Sequence, residues 1–255
     1  MTIGIIGGTG WIGAALGRAL LATETVEAQD LVILNRSGPR SDYFGHKVQW
    51  ARDCRDLVER SEVVVLSVRP QDWPGLDFAG QRRLVLSVMA GVPIAAIGPR
   101  TVRAIPNAAA EIGASYSPWV AGPEVTRQDR ARIAAILSAI GREEELTEES
   151  QLDLMTAVPG AGPAYPALMA VAIMRYLTDQ GLPRSVAEHA AEAVICDAAR
   201  LLSGRMAEAE AMVQSYVDYA GTTAAGLLEA QRLGFDTALQ EGFAAATRKA
   251  ASLGG

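Results

Sequence analysis

Short aliphatic runs separated by stretches of helical periodicity fill roughly the first 150 residues, and the pattern changes after that point. The runs Ile3–Ile6, Leu31–Leu34, Val48–Trp50, Val63–Ser67, Leu84–Ser87, Val102–Ile105 and Glu143–Leu146 predict strands. Between them Ile12–Leu21, Asp53–Arg60 and Thr126–Ile140 predict helices. Val63–Leu66 and Leu84–Leu86 are aliphatic throughout, as strands covered on both faces of a parallel sheet are. The alternation therefore predicts an α/β domain over residues 1–150, a doubly wound and mostly parallel sheet. From 151 to 255 the strand signals stop and an all-helical domain is expected, punctuated at Gly181-Leu182-Pro183, Ser203-Gly204 and Gly234. The stretch Ala167–Leu177 is apolar nearly all round, with Arg175 the exception. Such a helix needs cover on every side, and about a hundred residues can hardly enclose it, so a partner chain is the expected cover.

The turn after the first strand carries the most specific chemistry. Gly8, Gly10 and Gly13 in Gly7-Gly8-Thr9-Gly10-Trp11-Ile12-Gly13 fit G-x-G-x-x-G in a strand–turn–helix setting, the fingerprint of a Rossmann-type nucleotide site. Gly8 would permit the tight turn, Gly10 the approach of a pyrophosphate, and Gly13 close packing of helix on strand. The opening of the helix offers N–H groups and partial positive charge to phosphates. The second strand ends in Asn35-Arg36-Ser37, where an NAD-binding chain usually carries an acid. Arg36 offers a fork suited to a 2′-phosphate and Ser37 a hydroxyl, which favours NADPH. Ser67, Val68, Arg69 and Pro70 end a central strand, where ligands of such sheets sit, and Asn107 follows another; Pro106-Asn107 also reads as a plain turn.

Composition narrows the class. Apolar residues make up 49% of the chain, charged residues 20%, and the net charge is −6, which argues against nucleic-acid and anionic-membrane partners. Cys54 and Cys196, far apart, suit a reducing compartment, and with His46 and His189 isolated no metal site is expected. The chain opens on a strand with no signal-peptide pattern, and the apolar stretch Ala164–Met174 is interrupted by Pro166 and short for a bilayer. A cytoplasmic protein is expected.

Later segments, in order, resemble the pyrroline-5-carboxylate reductase family. Val65-Leu66-Ser67-Val68-Arg69-Pro70 is similar to that family's strand ending in Val-Lys-Pro, and Ser87-Val88-Met89-Ala90-Gly91 to its Ser-x-x-Ala-Gly. Arg103-Ala104-Ile105-Pro106-Asn107 matches Arg-x-Met-Pro-Asn with Ile for Met. Pro159-Gly160-Ala161-Gly162-Pro163-Ala164-Tyr165 resembles Ser-Gly-Ser-Gly-Pro-Ala-Tyr, and Gly221-Thr222-Thr223 the signature helix Gly-Gly-Thr-Thr. The resemblance implies NADPH-dependent reduction of a cyclic imine, 1-pyrroline-5-carboxylate to proline. It also implies a Rossmann domain followed by a helical dimerisation domain, and dimers that can assemble further. Gly221, Thr222 and Thr223 then become substrate-binding, with Thr222 and Thr223 the catalytic candidates; the opening of their helix can hold a carboxylate. Read alone, Thr223 is more readily an N-cap than a substrate contact.

The departures fall where substrate is expected. Pro159 and Ala161 replace both serines, and Asp218-Tyr219-Ala220-Gly221 stands for Ser-Pro-Gly-Gly. Asp218 turned inward would repel an anionic substrate or assist proton delivery; turned outward it is a cap or a solvated residue. Two alternatives follow, a paralogous reductase of another small imine or ketone, and a non-catalytic NADP-binding regulator.

Overall fold

The computed structural model describes residues 1–78 and 82–253. In chain order its sheet and flanking elements are β1 (Ile3–Ile6), α1 (Trp11–Ala22), β2 (Leu31–Leu34), β3 (Gln49–Trp50), α2 (Cys54–Arg60), β4 (Val63–Leu66), β5 (Leu84–Ser87), α3 (Ile94–Ile97), β6 (Thr101–Ala104), β7 (Ser115–Ala121), α4 (Arg127–Ser138) and β8 (Gly141–Glu145). The helices that follow are α5 (Gln151–Met155), α6 (Ala164–Asp179), α7 (Arg184–Glu192), α8 (Ala209–Asp218), α9 (Thr222–Arg232) and α10 (Phe235–Ala251). All seven expected strands and all three expected helices are present within two residues of their predicted bounds.

The eight strands form one sheet in the order β3-β2-β1-β4-β5-β6-β7-β8. Every pairing is parallel except β6 with β7. The chain winds outward from β1 to β3, then returns to β4 beside β1, so the strand order reverses between β1 and β4. Ligands of such sheets bind at the carboxyl ends of the strands at that reversal. Alternation along the strands splits the core. Ile3, Ile5, Val63 and Val65 face Leu16 and Leu20 of α1 and Ile133 and Ile136 of α4. Ile6, Val64 and Leu66 face Leu57 and Val58 of α2 together with Met89 and Val92. Each such fully buried side chain contributes about 1.5–3 kcal/mol.

β7 was not anticipated. Ser115-Tyr116-Ser117-Pro118 carries no aliphatic run, yet Ser115 and Ser117 are buried with their hydroxyls 3.0 Å apart. Pro118 lies beyond the β6 pairing and contributes its carbonyl to Ile105 N–H, 3.0 Å, so its missing N–H costs the ladder little.

The chain divides into two compact units, residues 1–161 with the stretch from Ala245 onward, and residues 162–244. The expected helical domain runs to 255, of which 254 and 255 lie outside the described residues. Its punctuation is as expected: Gly181, Gly204 and Gly234 all adopt left-handed backbone, and α7 starts at Arg184 behind Pro183. The apolar stretch is longer than its sequence implies. A continuous helical run, Gln151–Asp179, with a window of mean hydropathy 1.4, is long and apolar enough to cross a membrane by length and composition. Pro159 does not end it because the backbone widens to a π-turn at Thr156–Gly160, and Pro166 sits in the first turn of α6, where no N–H is required. No side chain of α6 is buried within the chain; Leu168, Met169 and Tyr176 are exposed.

Candidate active site

The carboxyl end of β1 delivers a turn whose glycines are required by contact. Gly7 adopts φ +83°, and its N–H donates to the Leu34 carbonyl at 2.8 Å. A Cβ on Gly7 would overlap the Ser67 carbonyl, and one on Gly13 would overlap the Gly7 carbonyl. The tight turn expected of Gly8 is made with positive φ at Gly7 instead, while a Cβ on Gly8 would press on the Ile33 side chain at 2.9 Å. Gly10 precedes α1 without a side-chain cap, so the N–H groups of its first turn, at Trp11, Ile12 and Gly13, have no intrahelical acceptor. Trp11 is exposed beside them. Tyr43 braces the turn: its hydroxyl donates to the Gly8 carbonyl at 2.7 Å, and its ring fills the space a side chain on Gly17 would need. Burial raises the Tyr43 pKa beyond its ordinary 10, which keeps it a neutral donor. Tyr43 lies in a stretch without helical or strand periodicity, and nothing in the sequence marked it.

The residues after β2 form a polar cluster with the turn. Asn35 Nδ2 donates to Thr9 Oγ1 at 3.0 Å and to Ser37 Oγ at 3.1 Å, and its Oδ1 is enclosed without a partner among the described residues. Arg36 is largely exposed, its guanidinium 3.7 Å from the Asp72 carboxylate. Asp72 also accepts from Arg69 Nε at 3.1 Å. The Arg69 hydrogen bond, with the charges of Arg69 and Arg36, holds the Asp72 carboxyl below the ordinary range. The acid absent from the end of β2 thus arrives from the 3₁₀ turn Pro70–Gly75, bound to two arginines. Ser67 and Val68 follow β4 directly, with Ser67 N–H on the Ile6 carbonyl at 2.9 Å. This arrangement fits a dinucleotide phosphate: a cradle closed to side chains, free N–H donors, and a guanidinium with a displaceable anion.

Asn107 is engaged within the protein through both backbone and side chain. Its backbone N–H donates to Ser115 Oγ at 3.0 Å, its Nδ2 to the Pro159 carbonyl at 2.8 Å, and its Oδ1 accepts from Ala109 N–H at 2.9 Å. It thereby caps the turn Ala108–Ile112 and tethers Pro159, and these bonds use one of the two Nδ2 hydrogens and one of the two Oδ1 lone pairs. Nearby, buried Arg103 donates to Glu149 at 2.5 Å, and the same carboxylate accepts Ile94 N–H at 2.8 Å. Sequence reading singled out Arg103 only as part of a motif and missed Glu149.

In the second unit α8 ends at Asp218, Ala220 takes φ +55°, and Gly221 opens α9 with no side-chain cap. Thr223 is therefore not the N-cap. The hydroxyls of Thr222 and Thr223 are exposed and unpartnered among the described residues, in the first turn of an 11-residue helix. Asp218 accepts from Gln214 Nε2 at 2.8 Å within α8 and caps nothing ahead of it. Tyr219 is 85% exposed. Among the described residues no group of three or more His, Cys, Asp and Glu side chains is placed to hold a metal.

Comparison with known proteins covers the whole chain. Residues 149–253 match the family model for pyrroline-5-carboxylate reductase dimerisation, and residues 2–91 that for NADP oxidoreductase coenzyme F420-dependent. A pyrroline-5-carboxylate reductase of Synechocystis sp. is 33% identical over 99% of this chain and 98% of its own. One of Mycobacterium tuberculosis is 32% identical over 98% of this chain and 96% of its own. The crystal structure of Plasmodium falciparum pyrroline carboxylate reductase with NADP bound shares the fold at TM-score 0.87 and 19% identity, covering 100% of this chain and 98% of that one.

Proposed function

The chain belongs to the pyrroline-5-carboxylate reductase family, and on that premise we propose that it reduces 1-pyrroline-5-carboxylate to proline with NADPH, working as a homodimer. The observation that carries this reading is that both ends of the chemistry are kept in one chain: the glycine turn with Arg36, and the open helix start at Thr222-Thr223. A cytoplasmic setting accords with Cys54 and Cys196, both free thiols.

Cofactor-binding roles follow from the chemistry of each group. The N–H groups at the start of α1, with Gly8, Thr9 and Gly10 ahead of them, hold the pyrophosphate, since anions are stabilised at an uncapped helix opening. Arg36 takes the 2′-phosphate in exchange for Asp72, with Ser37 as a second donor. The Asn35 amide, tied to Thr9 and Ser37, orders the ribose contacts, and Ser67, Val68, Arg69 and Pro70 line the approach to the nicotinamide end. Bound there, NADPH supplies the hydride for the C=N carbon.

Substrate is held by α9. Its free N–H groups and the Thr222 and Thr223 hydroxyls bind the carboxylate, and Thr223 Oγ1 accepts from the protonated ring nitrogen. Keeping that proton on nitrogen matters because an iminium accepts hydride far more readily than a neutral imine. Orientation rather than proton transfer is what these residues contribute. Asn107 fixes Pro159 with one Nδ2 hydrogen and offers the other to the nicotinamide or its ribose.

A second reading, reduction of an uncarboxylated or otherwise different small imine or ketone, is favoured by Pro159, Ala161 and Asp218 standing where the family carries serines. NADPH oxidation by the purified protein, with proline identified as product, tests the first reading. Turnover of an uncarboxylated cyclic imine without any of pyrroline-5-carboxylate would select the second. No NADPH oxidation with any imine would leave only a cofactor-binding regulator.

A further inference from the structure

The residues that lead into β4, β5 and β6 stand side by side at the amino ends of those strands, the far side of the sheet from the glycine turn. They bring Glu62, Arg82, Arg83 and Arg100 together, α4 adds Arg132, and the five line a cavity of about 490 Å³. This concentration of positive charge occurs in a chain whose net charge is −6.

The local acids are already committed. Asp129, buried, holds Arg100 through bonds of 2.8 and 3.0 Å. Glu62 accepts Thr2 N–H at 2.9 Å and lies 3.8 Å from Arg132, too far for a hydrogen bond. Arg83 donates to the Glu59 carbonyl at 3.2 Å. The guanidinium groups of Arg82 and Arg132 are left without a hydrogen-bond acceptor among the described residues.

We infer that this cavity is a second anion site, which binds a polyphosphate: two or more linked phosphoryl groups, free or at the end of a nucleotide. A guanidinium fork matches the paired oxygens of one phosphoryl group, and two linked phosphoryl groups give each of two open forks its own pair. A single phosphate would have to share its oxygens between the two forks and brings less negative charge to the four arginines that line the cavity. The site is separate from the cofactor cradle, because the four residues of each central strand put about 13 Å between the two ends of the sheet. Binding there involves no bond made or broken; it cross-links the entries of β5 and β6 to α4.

The test is calorimetric titration of the dimeric protein saturated with NADP, which keeps the cradle filled, using pyrophosphate, ADP and inorganic phosphate at constant ionic strength. Pyrophosphate is expected to bind at one site per chain, with phosphate at least about tenfold weaker. Affinity for ADP equal to that for pyrophosphate assigns recognition to the phosphates alone; tighter binding of ADP assigns a nucleotide. Arg82→Ala with Arg132→Ala should weaken pyrophosphate by about a hundredfold. The milder Arg82→Gln should weaken it about tenfold, with the KM for NADPH unchanged in both. An absence of pyrophosphate binding, or binding unaltered in Arg82→Gln, would overturn the assignment.

Discussion

After β2 the chain presents Asn35, Arg36 and Ser37, and the carboxylate that reaches them, Asp72, is shared by Arg36 and Arg69. The missing acid and the arginine were legible because they lie at a fixed distance from the glycine turn. Asp72, Tyr43 and Glu149 were not, since each acts through a partner far along the chain or in a stretch without periodicity. Arg36→Ala should raise the KM for NADPH about ten- to a hundredfold, leaving that for NADH nearly unchanged. Equal loss for both cofactors in steady-state assays would remove Arg36 from the 2′-phosphate. A second residue-level expectation concerns Ala220, held at φ +55° where the family carries glycine. An alanine there costs roughly 1–2 kcal/mol of backbone strain. Ala220→Gly should therefore raise Tm by about 2–4 °C, less the entropy that glycine adds to the unfolded chain; a lower Tm on calorimetry would mean that the strain is not there.

Among the elements, the strands of the first unit announced themselves because both-face burial leaves uniform aliphatic runs. β7 did not, because its first two buried positions, Ser115 and Ser117, are serines satisfied by one another and by Asn107 N–H, with Pro118 next to them. The start of α4 is a capping box, Thr126 with Asp129, and Asp129 also binds Arg100. The Arg100 hydrogen bond, ahead of those from Thr126, draws the Asp129 pKa from 3.8 to about 2. A depressed carboxylate stabilises the fold above its unfolded pKa, and that contribution is lost as pH falls. Thus about 2 kcal/mol should vanish between about pH 4 and pH 2, and Asp129→Asn should flatten this part of the stability curve in urea titrations. If both proteins lose stability in parallel, Asp129 is not the group responsible. α6 presents Leu168, Met169 and Tyr176 with no cover from its own chain. A second copy is the proposed cover, so Met169→Asp should dissociate or unfold the dimer, a buried unpaired carboxylate being costly. Light scattering that finds the wild-type chain a folded monomer at micromolar concentration would contradict this.

For the molecule as a whole, the fold and the cofactor followed from local patterns read in order, while the substrate rests on α9 and on segments where this chain departs from its family. The central claim is that the open start of α9 selects a carboxylated imine. The most direct measurement is the ratio of kcat/KM for 1-pyrroline-5-carboxylate to that for 1-pyrroline with saturating NADPH, in the wild-type protein and in Thr223→Val. That variant keeps the β-branched shape and removes the hydroxyl alone. One charge-assisted hydrogen bond changes kcat/KM by about ten- to a hundredfold. The account predicts a ratio well above one that falls by about that factor in Thr223→Val, with the KM for NADPH unchanged. A wild-type ratio at or below one, or a ratio that Thr223→Val leaves untouched, would contradict it.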